Sequence, residues 1–140
     1  VVMPFLAGTE ISVDALFRGG ELLRAATRRK NGSLQAIAED AEEVLPVLRP
    51  MGQRLRLDGI INVQVRRATD AVSGPYKVLE INTRYSGGSA YLIDAGIDLF
   101  SGAVASVIGR EQPRLPVVPL LDVAVRAEPA RKEARWRTTS

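Results

Sequence analysis

A chain of 140 residues, 46% of them hydrophobic, can bury a core of its own, and with no Cys and no His it has no disulfides, thiolate nucleophile, imidazole base or Cys/His zinc site. Serine triads and zinc hydrolases are therefore not expected. The formal charge is only +3, no apolar run reaches the length of a membrane span and no charged-then-apolar leader opens the sequence, so the expected setting is the cytoplasm, away from any membrane.

In chain order, Glu10–Arg18 and Glu21–Lys30 read as two strands, joined at Arg18-Gly19-Gly20 where paired glycines supply the positive φ of a tight hairpin. The cluster Arg28-Arg29-Lys30 before Asn31-Gly32 could reach phosphate, although such a cluster at a strand end is more often a solvated turn. Ala41, Val44, Leu45, Leu48 and Met51 recur at helical spacing behind Glu39, Asp40, Glu42 and Glu43, which predicts a helix within residues 38–57. Pro46 and Pro50 fall inside it and predict a kink or two shorter helices. After Asp58-Gly59 comes a strand over Ile60–Arg67, then a connection over Thr69–Pro75 and a second strand that carries Glu80–Arg84. Helical pattern returns at Ala90 with Leu92, Ala95 and Gly96, then Leu99, Val104, Val107 and Ile108, with Gly109 as the stop. Val117–Val125 reads as a late edge strand that tolerates Pro119. Repeats and low-complexity tracts are absent, so the expected fold is α+β, an antiparallel sheet with flanking helices over 1–125, followed by a flexible tail over 126–140.

Charge concentrates in that tail, where Arg126, Arg131, Lys132, Arg135 and Arg137 outnumber Glu128 and Glu133 by three, leaving the body neutral. A nucleic-acid face normally interleaves aromatics with its basic patch, and only Trp136 is available, so nucleic-acid binding is not expected.

The most informative block is Glu80-Ile81-Asn82-Thr83-Arg84. Residues two apart on a strand share a face, so a carboxylate, an amide oxygen and a guanidinium point the same way. Alternation in the preceding strand sets Asn62, Gln64 and Arg66 on one side and Ile61, Val63 and Val65 on the other. Pairing the two strands gives a polar plate backed by hydrophobe. Oxygen ligands from Gln64, Glu80 and Asn82 suit a hard cation such as magnesium, which takes few protein ligands plus water and phosphate; Arg84 offers a fork for phosphate or carboxylate. Any antiparallel sheet with one wet face alternates in this way. A wet face alone does not call for the loop that follows, Tyr85-Ser86-Gly87-Gly88-Ser89-Ala90, whose backbone N–H groups and ensuing helix favour an anion.

Taken together, Gly8-Thr9-Glu10-Ile11-Ser12-Val13-Asp14, Asn62-Val63-Gln64, the Glu80–Arg84 block, Ser86-Gly87-Gly88 and Ala95-Gly96 resemble the later half of an ATP-grasp domain, the carbamoyl-phosphate synthase large-chain type in particular, over roughly residues 1–110. The resemblance implies an enzyme of the carboxylate–amine ligase type. ATP lies between two lobes, a substrate carboxylate takes its γ-phosphoryl group as an acylphosphate, and an amine or similar nucleophile captures it. It also implies magnesium, with manganese as the alternative, held by Gln64, Glu80 and Asn82, and Arg84 steadying the transferred group. Glu10 would bind the ribose hydroxyls. The segment Val1–Leu6 would be the hinge that reads adenine through the Pro4 carbonyl and Leu6 amide, with Met3 where many relatives carry a carboxylate. Ser86, Gly87, Gly88 and Ser89 would border the acceptor pocket.

Relatives place a glycine-rich lid and nucleotide-binding lysines before the hinge, so the resemblance implies a fragment of a longer ligase, missing its N-terminal ATP-grasp lobe and inactive as this stretch alone. Relatives are often dimers, which makes a homodimer an open expectation. The alternatives are a non-catalytic binding or structural module of the same fold and, from a third class, a nucleic-acid binder acting through residues 126–140. The acyl acceptor and the carboxylate substrate are small molecules whose identity the family does not fix.

Overall fold

The computed structural model describes residues 4–31, 34–39, 41–69, 74–109 and 125–126. Its first element is the expected hairpin. Strand β1, Glu10–Arg18, pairs antiparallel with β2, Glu21–Asn31, across Gly19 and Gly20, whose φ values of +57° and +92° are those the tight turn requires. The turn is tied down from outside, since the Gly20 N–H donates to the Leu57 carbonyl at 2.8 Å and the Gly19 N–H to Asp58 Oδ2 at 3.2 Å. Ile11, Val13, Ala15 and Phe17 alternate along β1 onto one buried face.

The next element differs from expectation. Leu34–Glu39 is strand β3, paired antiparallel with β2, and the helix, α1, spans only Leu45–Leu55. An acidic run ahead of helically spaced apolar residues suggested a start near Ala38, yet α1 has no acidic residue in its first turn and begins after Val44. Pro46 occupies that first turn, where its missing N–H would be unpaired in any case. Pro50 lies inside the helix, which is one continuous element rather than two shorter helices. Pro46 and Pro50 are both exposed, so water can meet the carbonyl that the Pro50 ring leaves without a donor. Arg56 closes the helix in the left-handed region at φ 50°, and the Leu57 N–H donates to the Gly52 carbonyl at 3.1 Å.

Strand β4, Gly59–Arg67, pairs with β1, and β5, Tyr76–Asn82, pairs with β4. A short β6, Val125–Arg126, pairs with β3 and completes an antiparallel sheet of order β5-β4-β1-β2-β3-β6. Of the expected strand over Val117–Val125, only Val125 falls in β6; residues 117–124, Met3, and 127–140 of the basic tail lie outside the described residues. The expected α+β class, an antiparallel sheet with flanking helices, is the observed one.

The two sheet faces bury different things. On one face Ile11, Val13, Ala15, Phe17, Ile61, Val63 and Val65 meet Val44 and Leu48 around α1. On the other, α2 (Ser89–Asp94) and α3 (Leu99–Val107) cover one end, where Ala26 and Ile37 meet Leu92, Ile97 and Leu99. The remainder of that second face is polar, because its β1, β2 and β4 positions carry Ser12, Asp14, Arg28, Asn62 and Gln64 rather than hydrophobes, with Asp14, Arg28 and Asn62 buried.

Asp98 caps α3, accepting from the Phe100 N–H at 2.9 Å and the Ser101 N–H at 3.0 Å. Hydrogen bonds from the Ser101 hydroxyl, then from the Ser101 and Phe100 amides, hold its carboxyl below the usual range. A lowered folded-state value means stability present at neutral pH and lost as pH falls through that value. Asp98→Ala is therefore expected to cost about 1 kcal/mol at pH 7, with the gap to the parent narrowing below about pH 4, as urea titrations across pH would show.

Candidate functional site

Register brings the sequence-predicted ligands together. In the β4–β5 ladder Gln64 stands opposite Glu80 and Asn62 opposite Asn82, so these residues share the face turned away from α1. A bulge makes this possible. Val78 pairs with Val65 and packs toward the α1 core, and strict alternation would send Glu80 to that same side; the register shift between Gln64 and Val65 leaves Leu79 as the extra residue and turns Glu80 to the open face. Ile81 then resumes packing against the core and Asn82 faces out. The ladder continues past β5, because the Asn62 N–H donates to the Arg84 carbonyl at 3.1 Å.

Among the described residues no side-chain hydrogen bond or ion pair engages Gln64, Glu80 or Asn82. Also among them, no group of His, Cys, Asp and Glu is dense enough to hold a metal ion by itself. One carboxylate with flanking amide oxygens fits a cation that takes its remaining ligands from water and phosphate, and fits poorly a cation requiring a complete protein cage.

Beside this plate is an open cleft of about 670 Å³ walled by Thr9, Glu10, Ser12, Arg28, Arg29, Asn62, Gln64, Ser86, Gly87, Gly88 and Tyr91. Glu80, Asn82 and Arg84 are not among the residues that wall the cleft. Glu80 and Arg84 are exposed, and Arg84 Nη1 donates to the Tyr85 carbonyl at 3.2 Å. Glu10, at the start of β1, accepts from Arg66 Nη2 at 3.1 Å, and the same guanidinium donates through Nη1 to the Leu6 carbonyl at 3.1 Å. Arg66 thus ties the segment before β1 to β4, which places Leu6 and Glu10 relative to Gln64.

The loop after Arg84 is held from below. Ser86 lies against the cleft and accepts from Arg28 Nη2, while its own backbone carbonyl accepts from the Ser89 N–H at 3.1 Å and its hydroxyl oxygen from the Gly88 N–H at 3.2 Å. Those amides are therefore engaged within the loop, and α2 is only six residues long, so the expected anion site at a helix start has little dipole behind it. Ser89 is turned beneath the cleft, where its hydroxyl donates to Asp14 Oδ2 at 3.3 Å.

Beneath the cleft is a buried polar network that sequence reasoning did not assemble. Asp14 is fully buried, and its carboxylate accepts from Arg28 Nε at 3.0 Å, Arg28 Nη2 at 2.9 Å and Asn62 Nδ2 at 2.8 Å. Ser12 accepts from Arg28 Nη2 at 3.1 Å and from Asn62 Nδ2 at 3.0 Å. The signal was in the hairpin: counting back from Gly19-Gly20 pairs Asp14 with Ala26 and Ser12 with Arg28, once the bulge at Leu16/Phe17 is allowed for. Arg28 is thus a buried ion-pair member, not part of a solvated turn.

A family model described as "ATP-grasp in the biosynthetic pathway with Ter operon" matches residues 1–129. The chain belongs to this ATP-grasp family. No curated protein matches it. ATP-grasp membership makes this a domain of the ATP-dependent ligase type, in a superfamily that generally uses ATP and Mg²⁺. No helix among the described residues is long and apolar enough to cross a membrane.

Removing Arg28 alone would leave the Asp14 carboxylate buried beside no cation. Arg28→Met is expected to lose about 3–5 kcal/mol of unfolding free energy in urea, and adding Asp14→Leu is expected to return part of that loss.

Proposed function

We propose that this ATP-grasp domain takes part in MgATP-dependent activation of a carboxylate as an acylphosphate, which an amine or similar nucleophile then captures. The observation that supports this most is the β4–β5 register, with Gln64 opposite Glu80 and Asn62 opposite Asn82 on the face turned away from α1. Within the superfamily, the Glu-x-Asn-x-Arg block followed by Ser86-Gly87-Gly88 supports a carbamoyl-phosphate synthase-like affinity.

In this reading Gln64, Glu80 and Asn82 hold divalent cations against the nucleotide phosphates. When bound, such ions neutralise charge on the phosphoryl oxygens and align the groups that react. Glu10 accepts from the ribose hydroxyls, exchanging its contact with Arg66 for theirs, and the hinge around Pro4 and Leu6 meets the adenine edge. Arg84, exposed and with no acidic partner among the described residues, turns its fork onto the phosphoryl group in flight.

The carboxylate oxygen attacks the γ-phosphorus as the bond to the β,γ-bridging oxygen breaks and ADP leaves. The nucleophile's lone pair then attacks the acyl carbon and inorganic phosphate departs. Ser86, Gly87 and Gly88 border the pocket for the acceptor, with Ser89 supporting them from beneath. A companion lobe carrying a glycine-rich lid and lysines completes the nucleotide site.

Calorimetric titration with ATP, in Mg²⁺ and in EDTA, tests the reading. Binding is expected in Mg²⁺ alone, weakened at least about tenfold by Glu80→Gln and by Asn82→Ala. Equal binding in both variants, or folded protein with no Mg²⁺-dependent binding, would favour a non-catalytic module.

A further inference from the structure

A guanidinium at the wall of a phosphate-transfer cleft invites assignment as a phosphate ligand. We propose instead that Arg28 is a positioning residue: held by Asp14, it fixes the Ser86–Ser89 loop over the cleft and does not itself bind the nucleotide. This rests on the reading of that loop as the acceptor wall.

Charge and geometry both support the assignment. Arg28 is only 7% exposed, and its Nε and Nη2 both engage the buried Asp14 carboxylate, so its charge is already compensated inside the protein. Nη2 also reaches the Ser12 and Ser86 hydroxyls, joining β1 to the loop. From the loop side, Ser89 donates to the same carboxylate, so both ends of Ser86–Ser89 are anchored to one ion pair. Asn62 donates to Asp14 as well and, by register, stands opposite Asn82. The pair therefore links the loop to the strands that carry Gln64, Glu80 and Asn82.

Gly88 gives the point at which this can be probed without touching the charges. Its φ of −87° and ψ of 1° are open to alanine, but a Cβ there would overlap Arg28 Nη1 and stand 2.9 Å from Cζ. The close approach of the loop backbone to the guanidinium thus depends on the missing side chain.

Hydrogen exchange of the whole chain, with MgATP titration alongside, decides the matter. In Gly88→Ala and in Arg28→Lys the amides of residues 86–91 are expected to exchange about tenfold faster or more, while those of β1 and β4 keep the parent rates. Combining the two substitutions is expected to add less than the sum of their separate effects, since lysine lacks the Nη1 that alanine would strike. MgATP affinity in Arg28→Lys is expected to stay within about twofold of the parent.

Unchanged exchange at 86–91 in Gly88→Ala would overturn the proposal. A tenfold loss of MgATP affinity in Arg28→Lys with loop exchange unchanged would also overturn it, in favour of a phosphate ligand. Should Arg28→Lys loosen β1 and β4 too, Gly88→Ala and Ser86→Ala carry the test alone. A parent protein that binds no MgATP would defeat the ligase reading, while the exchange comparison would still decide what Arg28 holds.

Discussion

The carboxylate of Asp14, fully buried and paired with Arg28, is the constraint around which the polar face of the sheet is organised. Burying an ion pair costs desolvation that is offset only where hydrogen bonds satisfy both partners. Here the acceptors of Asp14 receive Arg28 from β2, Asn62 from β4 and Ser89 from the start of α2. Strands far apart in sequence are thereby fixed to one another and to the loop above them. An apolar pair of similar volume could hold the strands together, but it would offer the loop no donor for Ser86.

The residues proposed to meet the cation are built in the opposite way. Gln64, Glu80 and Asn82 have no side-chain partner among the described residues, and they stand on β4 and on the edge strand β5. What fixes them is backbone: the β4–β5 ladder and the bulge at Leu79 that lets Val78 serve the core and Glu80 the open face within two residues. Rigid backbone with unengaged oxygen donors is the arrangement a cation site needs before its ligand arrives, since nothing must be broken to admit it. The buried network and the bulge thus divide the work. One positions the loop and the other aims the ligands.

How much of this was legible in the sequence follows from which forces are local. The β1–β2 hairpin, β4 and β5 could be read because two-residue alternation and Gly19-Gly20 act over a few residues. The Glu80–Arg84 block was legible for the same reason. β3 was not, because the acids from Glu39 to Glu43 sit just ahead of helically spaced hydrophobes and imitate a helix start, whereas Leu34–Glu39 is a strand only by virtue of pairing with β2. The fate of Pro50 turned on solvent exposure of one helix face, which the prolines themselves do not announce. Asp14 and Arg28 were visible as individual residues, yet their union depends on hairpin register, including a bulge at Leu16/Phe17 that shifts the count by one. The bulge at Leu79 was likewise hidden, since Val78 and Glu80 read by strict alternation belong to one face.

The central claim is that β4 and β5 together present oxygen ligands to a divalent cation bound with a nucleotide. Manganese can replace magnesium as a paramagnetic probe, and the amide spectrum of the chain reports where it binds. The account predicts that Mn²⁺ with ATP broadens resonances centred on Gln64, Glu80 and Asn82, and that Mn²⁺ alone broadens them far less. Broadening centred elsewhere, or equal at these residues with and without the nucleotide, would contradict it.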